Sequence, residues 1–396
     1  MRVLHVGKFS PPFAGGMEYF LADLLAAQTK LGLPVAALVH DEGPGWQART
    51  PPLGTPPPLI YRAPCLGRLL YAPLSPSFPY WLNRVIREFD PQLLHLHLPN
   101  TSAFAALALP RARRLPWVVH WHADVVASTI DRRLALAYQL YRPFEQRLLG
   151  HSQAIIATSP PYLDASLALR PWRERCEVIP LGLDPNRLPV PTNASLAWAE
   201  GTWGGRGPRV LTIGRLTYYK GHEVLIRALA RLPRVRGLIV GQGEHQIRLQ
   251  GLIQELALGD RVRLLGYQHE DQLAALLATC DLFCLPSLER TEAFGLVLLE
   301  AMHYGKPLLV SDIPGSGAPW VVGQAANGLR APPGDAEALA HALSGMLANP
   351  ARMRALGAAG AKALEHQFAL GPIATAIQSL YQRLIPRANF DPLANP

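Results

Sequence analysis

Arg209-Val-Leu-Thr-Ile-Gly-Arg-Leu-Thr-Tyr-Tyr-Lys-Gly221 is the stretch that decides the fold. A short apolar run stops at Gly214, a basic loop follows, and a helix begins after Gly221, so a strand–loop–helix unit starts afresh past the middle of the 396-residue chain. Downstream the alternation continues, with strands expected at Leu238–Val240, Val262–Leu265, Leu282–Leu285 and Leu308–Val310. Upstream the same pattern has already run once. Val3–Gly7 reads as a buried strand, and a Pro/Gly loop leads into a helix over about Met17–Leu31. That helix carries Phe20, Leu21, Leu24, Leu25 and Leu31 on one face and stops at Gly32. Further strands are expected at Val35–Val39, Leu93–Leu98, Trp117–Trp121, Ala154–Ala157 and Glu177–Pro180. Two such series predict an α/β protein of two Rossmann-like domains facing each other across a cleft, with ligands beyond the carboxyl ends of the strands. The first domain is expected over 1–184 and the second over 209–367. Residues 185–208, rich in Pro, Gly, Asn and Trp, read as a linker, and Gly43–Pro58 as a surface loop.

Composition fits this reading. Hydrophobic residues make up 49% and charged residues 17%, ample for two cores and unlike a disordered chain. The apolar run after Met1 is too short for a signal peptide, and no stretch approaches the 18 or so apolar residues of a spanning helix, so a cytoplasmic protein is expected, free or attached to a membrane surface. Four cysteines (Cys65, Cys176, Cys280, Cys284) show no CxxC pairing, and Cys280 and Cys284 flank a strand-like run, which reads as core packing in a reducing compartment. The formal charge is +9, with 19 Lys+Arg against 13 Asp+Glu in residues 1–190 and 19 against 16 beyond them. No aromatic-interleaved basic stripe and no recognition helix is present, so nucleic acid is not the expected partner; an anionic membrane and a phosphate-bearing substrate suit the charge better.

Four constellations carry chemistry. Glu292-Ala-Phe-Gly-Leu-Val-Leu-Leu-Glu300 sets two glutamates around a helix start near Gly295, where the free amides of Phe294, Gly295 and Leu296 offer an anion site. Glu300 shares its helical face with Leu296 and Val297, a costly place for a carboxylate without hydrogen bonds; an ordinary amphipathic helix carries the same letters. Arg215 and Lys220 sit in the loop ahead of a helix, where cations oppose the macrodipole unless a phosphate lies between them. Only five of the 38 basic residues are lysine, which sets Lys220 apart from background charge. Gly15 and Gly16 mark a strand–loop–helix junction without GxGxxG spacing, so a dinucleotide fingerprint is missing. His95 and His97 share one strand face, and His120 and His122 another; four histidines without a completing carboxylate do not make a metal site. The chain also lacks Asp-x-Asp, so stabilisation of a leaving group by Arg and Lys, with no metal or other cofactor, is expected.

Taken in order, Gly15-Gly-Met-Glu18, His122-Ala-Asp124, Ile179-Pro-Leu-Gly-Leu-Asp184, Gly214-Arg215 with Lys220-Gly221, Val240-Gly-Gln-Gly-Glu244, Pro286-Ser287, the Glu292/Glu300 pair and Gly305-Lys-Pro307 resemble the family 4 retaining glycosyltransferases of the GT-B fold. The match spans nearly the whole chain. His122-Ala-Asp, Arg290-Thr-Glu-Ala-Phe-Gly and Gly315-Ser-Gly-Ala-Pro-Trp320 resemble the branch that builds bacterial surface polysaccharides such as lipopolysaccharide, many of whose members look like mannosyl- or rhamnosyltransferases using GDP-sugars. The resemblance implies a nucleotide-sugar donor and a lipid-linked glycan acceptor. It implies that Arg215 and Lys220 neutralise the donor diphosphate, that Gly15, Gly16 and the amides of Phe294, Gly295 and Leu296 let it approach, and that Glu292 holds sugar hydroxyls. Glu300 would hold the ribose, His122 would sit beside the anomeric carbon, and Gly266 and Tyr267 would meet the base. Residues 368–396 would supply a C-terminal helix crossing back to the first domain, and a tail. Ala123 replaces the more usual Ser of the branch. A GT-B epimerase, a nicotinamide oxidoreductase and a silent nucleotide-sugar binder remain competing readings. The arginines and aromatics between Arg111 and Arg147, including Arg132 and Arg133, suit an anionic surface or a plain solvated face.

Overall fold

The computed structural model describes residues 1–13, 15–41, 51, 54–69, 72–125 and 132–385, so the Gly43–Pro58 loop falls largely outside the described residues. The chain divides into two compact units: Met1–Leu181 together with the chain from Leu370 onward, and Gly182–Ala369.

The first unit is built on strands β1 (Val3–Val6), β2 (Val35–His40), β3 (Leu59–Ala63), β6 (Leu93–Leu98), β7 (Trp117–Trp121), β8 (Ala154–Ala157) and β9 (Cys176–Val178); a small antiparallel hairpin, β4 (Arg68–Leu69) and β5 (Ala72–Pro73), stands apart. The large sheet is parallel in the order β3-β2-β1-β6-β7-β8-β9. Most of its central strands read as unbroken apolar runs because helices cover both faces, and every residue of β1, β2, β6, β7 and β8 is buried. The histidines in β1, β2, β6 and β7 are the exceptions to that apolar rule. The Leu370–Leu384 helix buries Ile373, Ala374, Ile377, Leu380 and Tyr381 at helical spacing and packs on the Gly16–Lys30 helix. Each large apolar side chain buried there contributes roughly 1.5–3 kcal/mol.

The second unit holds β10 (Arg209–Ile213), β11 (Arg236–Val240), β12 (Val262–Gly266), β13 (Leu282–Leu285), β14 (Leu308–Ser311) and β15 (Gly328–Ala331), parallel in the order β12-β11-β10-β13-β14-β15. The expected strands are all present. Besides the β4–β5 hairpin, two strands that the sequence reading did not name, β3 and β15, are added to the large sheets, and they lie at the edges, where the apolar signal is weakest. Cys280 and Cys284 are buried and unpaired.

Residues 185–208 are not an irregular linker. Thr192 caps a helix over Asn193–Trp203 by accepting from the Ser195 amide at 3.1 Å, and Trp203 is buried with its indole donating to Thr279 Oγ1 at 2.9 Å. Proline and glycine on either side make the segment read as loop, while one capping threonine and one anchoring tryptophan make it a helix of the second unit. The two passages of chain through this region run side by side, Leu183 N donating to Phe368 O at 3.0 Å.

Candidate functional site

In the second unit the strand order reverses between β10 and β13, because the chain leaves β10 for β11 on one side and returns to β13 on the other. A crevice beyond the carboxyl ends is the normal binding place at such a reversal. The loop leaving β10 carries the exposed Arg215 and the largely buried Lys220. It is locked to the exit of β13: Gly221 has φ 66°, and a Cβ there would lie 1.9 Å from the Pro286 carbonyl oxygen, so only glycine permits this approach. Leu288 N donates to Tyr219 O at 2.7 Å, and Tyr218 OH donates to Glu289 Oε2 at 2.8 Å.

This clamp sets Lys220 Nζ 2.5 Å from Glu292 Oε2, with side-chain exposures of 13% and 8%. Ser287 Oγ donates to the same carboxylate oxygen at 3.0 Å, and Ser316 Oγ donates to the Glu292 carbonyl at 2.5 Å. Burial pulls the Lys220 ammonium down, but the Glu292 charge, Tyr219 and the hydrogen bond to Glu292 outweigh it, and the net shift is upward. Lys220 is therefore a charged ammonium held at the strand reversal against Glu292.

Three residues beyond Glu292, the Leu296–His303 helix starts from Gly295 in a left-handed conformation with no side-chain cap. The amides of Phe294, Gly295 and Leu296, which the sequence suggested as an anion site, lie at this uncapped start. Glu300, one turn on, is mostly buried; burial raises its pKa, and Arg187, whose Nη2 lies 2.9 Å from Oε1, opposes that rise. Arg187 was missed by sequence reasoning. No periodicity links it to Glu300 across 113 residues, and the signal that could have found it is the cost of an unpartnered carboxylate on an apolar helix face. Gly266 ends β12 with φ 68°, and Tyr267 follows it half-exposed, two strands away from β13's neighbour β10.

The first unit carries the other expected residues. Gly15 and Gly16 open the Gly16–Lys30 helix with no side-chain cap. Glu18, in the first turn, folds back so far that a Cβ on Gly15 would meet its Oε2 at 2.1 Å. A carboxylate thus already sits against the helix start that was expected to receive phosphate.

His122 leaves the end of β7 and belongs to a larger group than the sequence showed. Register places His5 beside His95 and His97 beside His120, so β1, β6 and β7 bring five buried imidazoles together. Nitrogens of His5, His95 and His97, and of His97, His120 and His122, lie within 4.8 Å of one another. Those are ligand types for a divalent ion, but the ring planes of His97, His120 and His122 are within 7–18° of parallel, so their in-plane lone pairs do not converge on one point. Two nitrogen pairs are instead at hydrogen-bond distance, His5 Nδ1 to His97 Nε2 at 3.1 Å and His97 Nδ1 to His122 Nε2 at 2.9 Å. Burial lowers all five pKa values, to about 3 for His5 and about 3 for His122. Phe20 meets the His120 and His122 rings edge-on at 5.0 and 5.7 Å.

Among the described residues no helix is long and apolar enough to cross a membrane. Residues 15–182 match the Glycosyl transferase 4-like domain, and residues 199–363 match Glycosyl transferases group 1. The chain is 28% identical to the O-antigen chain mannosyltransferase C of Escherichia coli, over 97% of this chain and 99% of that protein. It is 32% identical to the D-rhamnosyltransferase WbpZ of Pseudomonas aeruginosa, over 90% of this chain and 89% of that protein. Among solved structures it superposes on sucrose-phosphate synthase from Thermosynechococcus elongatus with a TM-score of 0.80 and 26% identity, covering 97% and 99% of the two chains. With both halves matched in order and relatives aligned almost end to end, the chain belongs to the family 4 glycosyltransferases of the GT-B fold, in the branch of surface-polysaccharide enzymes.

Proposed function

We propose that this glycosyltransferase moves a mannosyl or rhamnosyl unit from a GDP-sugar onto a lipid-linked glycan acceptor, with retention of configuration and without a metal ion. The observation that carries the reading is the charged Lys220, held against Glu292 at the strand reversal beside an uncapped helix start. The two relatives named above, a mannosyltransferase and a D-rhamnosyltransferase, support the sugar.

In this reading the donor diphosphate draws Lys220 away from Glu292 and is met by Arg215 and by the amides of Phe294, Gly295 and Leu296. Glu292, freed from the ammonium, accepts hydrogen bonds from sugar hydroxyls. Glu300 holds the ribose, Gly266 and Tyr267 meet the base, and His122 lies beside the anomeric carbon. The acceptor hydroxyl forms its bond to the anomeric carbon on the face from which the carbon–phosphate oxygen bond breaks. The bonding pair goes to the diphosphate, and a donor phosphate oxygen takes the hydroxyl proton. Negative charge grows on the leaving group, so prepositioned cations and amides do most of the catalysis.

A membrane-facing surface accompanies the reading. On the Arg132–His151 helix, Leu136, Leu140 and Phe144 are 64%, 72% and 51% exposed at four-residue spacing, close in sequence to Arg142 and Arg147. That combination suits the anionic inner face of a cytoplasmic membrane, where a lipid-linked acceptor would wait.

The test is thermal stabilisation across GDP-, UDP- and dTDP-sugars with NAD as control, followed by transfer to a polyprenyl-linked acceptor in EDTA. Stabilisation by GDP-sugars and an axial-to-axial product by NMR are expected. Donor consumption without acceptor would make the protein an epimerase, and binding without turnover a silent binder.

A further inference from the structure

The histidines of the first unit form one hydrogen-bonded line that continues into two other side chains. His5 Nε2 lies 2.9 Å from Gln28 Oε1, Gln28 Nε2 donates to Tyr381 OH at 3.1 Å, and Tyr381 OH lies 2.5 Å from His95 Nδ1. Gln28 comes from the Gly16–Lys30 helix and Tyr381 from the Leu370–Leu384 helix. The other arm runs from His5 through His97 to His122.

A neutral imidazole has one N–H and one lone pair, so in such a line each ring dictates the state of the next. Burial keeps these rings neutral, as the lowered pKa values require. The primary amide is the element that sets the sense, because its oxygen only accepts and its nitrogen only donates. Gln28 turns its oxygen to His5, so His5 carries its proton on Nε2 and presents a lone pair at Nδ1. His97 then donates from Nε2 and accepts at Nδ1, and His122 donates from Nε2. What remains is His122 Nδ1, a buried lone pair with no hydrogen-bond partner among the described residues. On the other arm Gln28 donates to Tyr381, which donates to His95.

We infer that Gln28 is a positioning residue for His122: through His5 and His97 it fixes the proton on His122 Nε2 and leaves Nδ1 as an acceptor for a substrate hydroxyl, with Tyr381 holding the Gln28 amide in the required orientation. The part concerning substrate rests on the function proposed above; the part concerning protons does not. The edge-on geometry supports a directed line rather than a simple stack. His97 and His122 rings are 18° from coplanar with centroids 5.2 Å apart, the spacing of two imidazoles sharing an in-plane N–H···N bond. His120 lies face to face on His122 at 4.3 Å and 7° and restricts its rotation.

The experiment is nitrogen-15 NMR of the full chain labelled at histidine, with the His122 signals assigned through His122→Gln. Wild type is expected to show a single His122 tautomer protonated on Nε2. Gln28→Leu, which can neither accept nor donate, is expected to give exchange between both tautomers and a kcat lowered about tenfold with donor KM unchanged. Gln28→Glu, which still accepts from His5, is expected to restore the single tautomer and most of the turnover. Tyr381→Phe, the least disruptive change in the line, is expected to loosen the tautomer as Gln28→Leu does, and decides the matter if the leucine variant does not fold. A wild-type proton on Nδ1, or a His122 tautomer unchanged in both Gln28→Leu and Tyr381→Phe, overturns the inference. If the tautomers respond as expected but wild type transfers no sugar from any nucleotide donor, the relay stands and the proposed function falls.

Discussion

Lys220 and Glu292 stand 72 residues apart in sequence and 2.5 Å apart in space, each largely withdrawn from water and joined at one carboxylate oxygen that Ser287 also serves. A buried pair of this kind costs desolvation on both sides, and removing either partner strands the other. Lys220→Ala should lower kcat about 100- to 1000-fold, as losing a main stabiliser of a leaving group does. It should also destabilise the second unit by about 3 kcal/mol. Adding Glu292→Gln should recover much of the stability and none of the turnover. Denaturant melts and a donor-turnover assay on the two single variants and the double variant check this; strictly additive stability losses would refute the coupling.

Arg187 opposes the burial that raises the pKa of the second buried carboxylate, Glu300. In Arg187→Ala nothing opposes the burial that raises the Glu300 pKa, so its carboxyl takes up a proton as pH falls through the raised value. Donor affinity should then depend on pH, weak on the acid side and recovering as pH rises. Calorimetric titration of the nucleotide at several pH values measures it; a flat profile would mean that Glu300 does not touch the nucleotide.

Glu145 gives the first unit a stability term of opposite character. It is fully buried, and burial first, then the Asp124 charge, push its pKa up to about 7. Between pH 4.5 and 7 the folded state keeps a proton that the unfolded state has lost, so stability falls as pH rises through this window. Glu145→Gln removes that penalty while retaining an acceptor for Tyr138 OH. Its advantage over wild type should be near zero at pH 4 and up to about 3 kcal/mol at pH 8. Equal stabilities at pH 8 would show the carboxylate to be solvated there.

The buried histidines act at the acid end. His5, His40, His95, His97, His120 and His122 all have folded pKa values below the usual 6.5, while the unfolded chain takes up protons at each as pH drops below that value. Each contributes about 1.4 kcal/mol of lost stability per pH unit once the unfolded histidine is protonated. The first unit should unfold steeply on acidification, with uptake of several protons, and calorimetry at stepped pH can count them. Uptake of one proton or fewer would contradict the buried, neutral state of the cluster.

The sequence showed the parallel core most clearly where runs are apolar from end to end, as in Leu282–Leu285 and Leu308–Val310, because burial on both faces leaves no alternation to misread. It also showed which loops carry Lys220 and Glu292. It could not show that the two meet, since their contact depends on Gly221 approaching Pro286 across neighbouring strands. The histidines were legible two at a time, as i, i+2 pairs on one strand face; that β1 lies beside β6 and adds His5, and that Tyr381 closes on His95 from 286 residues away, is set by strand order and helix docking. The Asn193–Trp203 helix stayed hidden because the prolines before it and the glycines after it make the whole segment read as loop.

The route of the chain carries a consequence for its synthesis. The second unit is one continuous stretch from Gly182 to Ala369, whereas the first unit is interrupted by it and needs the helix that begins at Leu370. Emerging from the ribosome, residues 1–181 must wait with the flank of the Gly16–Lys30 helix uncovered, while the later-made second unit can reach its native state first. Shortening the chain before Tyr381 would leave Gln28 and His95 without their shared partner. The first unit prepared alone would need residue 181 joined to residue 370, and a simple amino-terminal fragment should aggregate through its bare helix face.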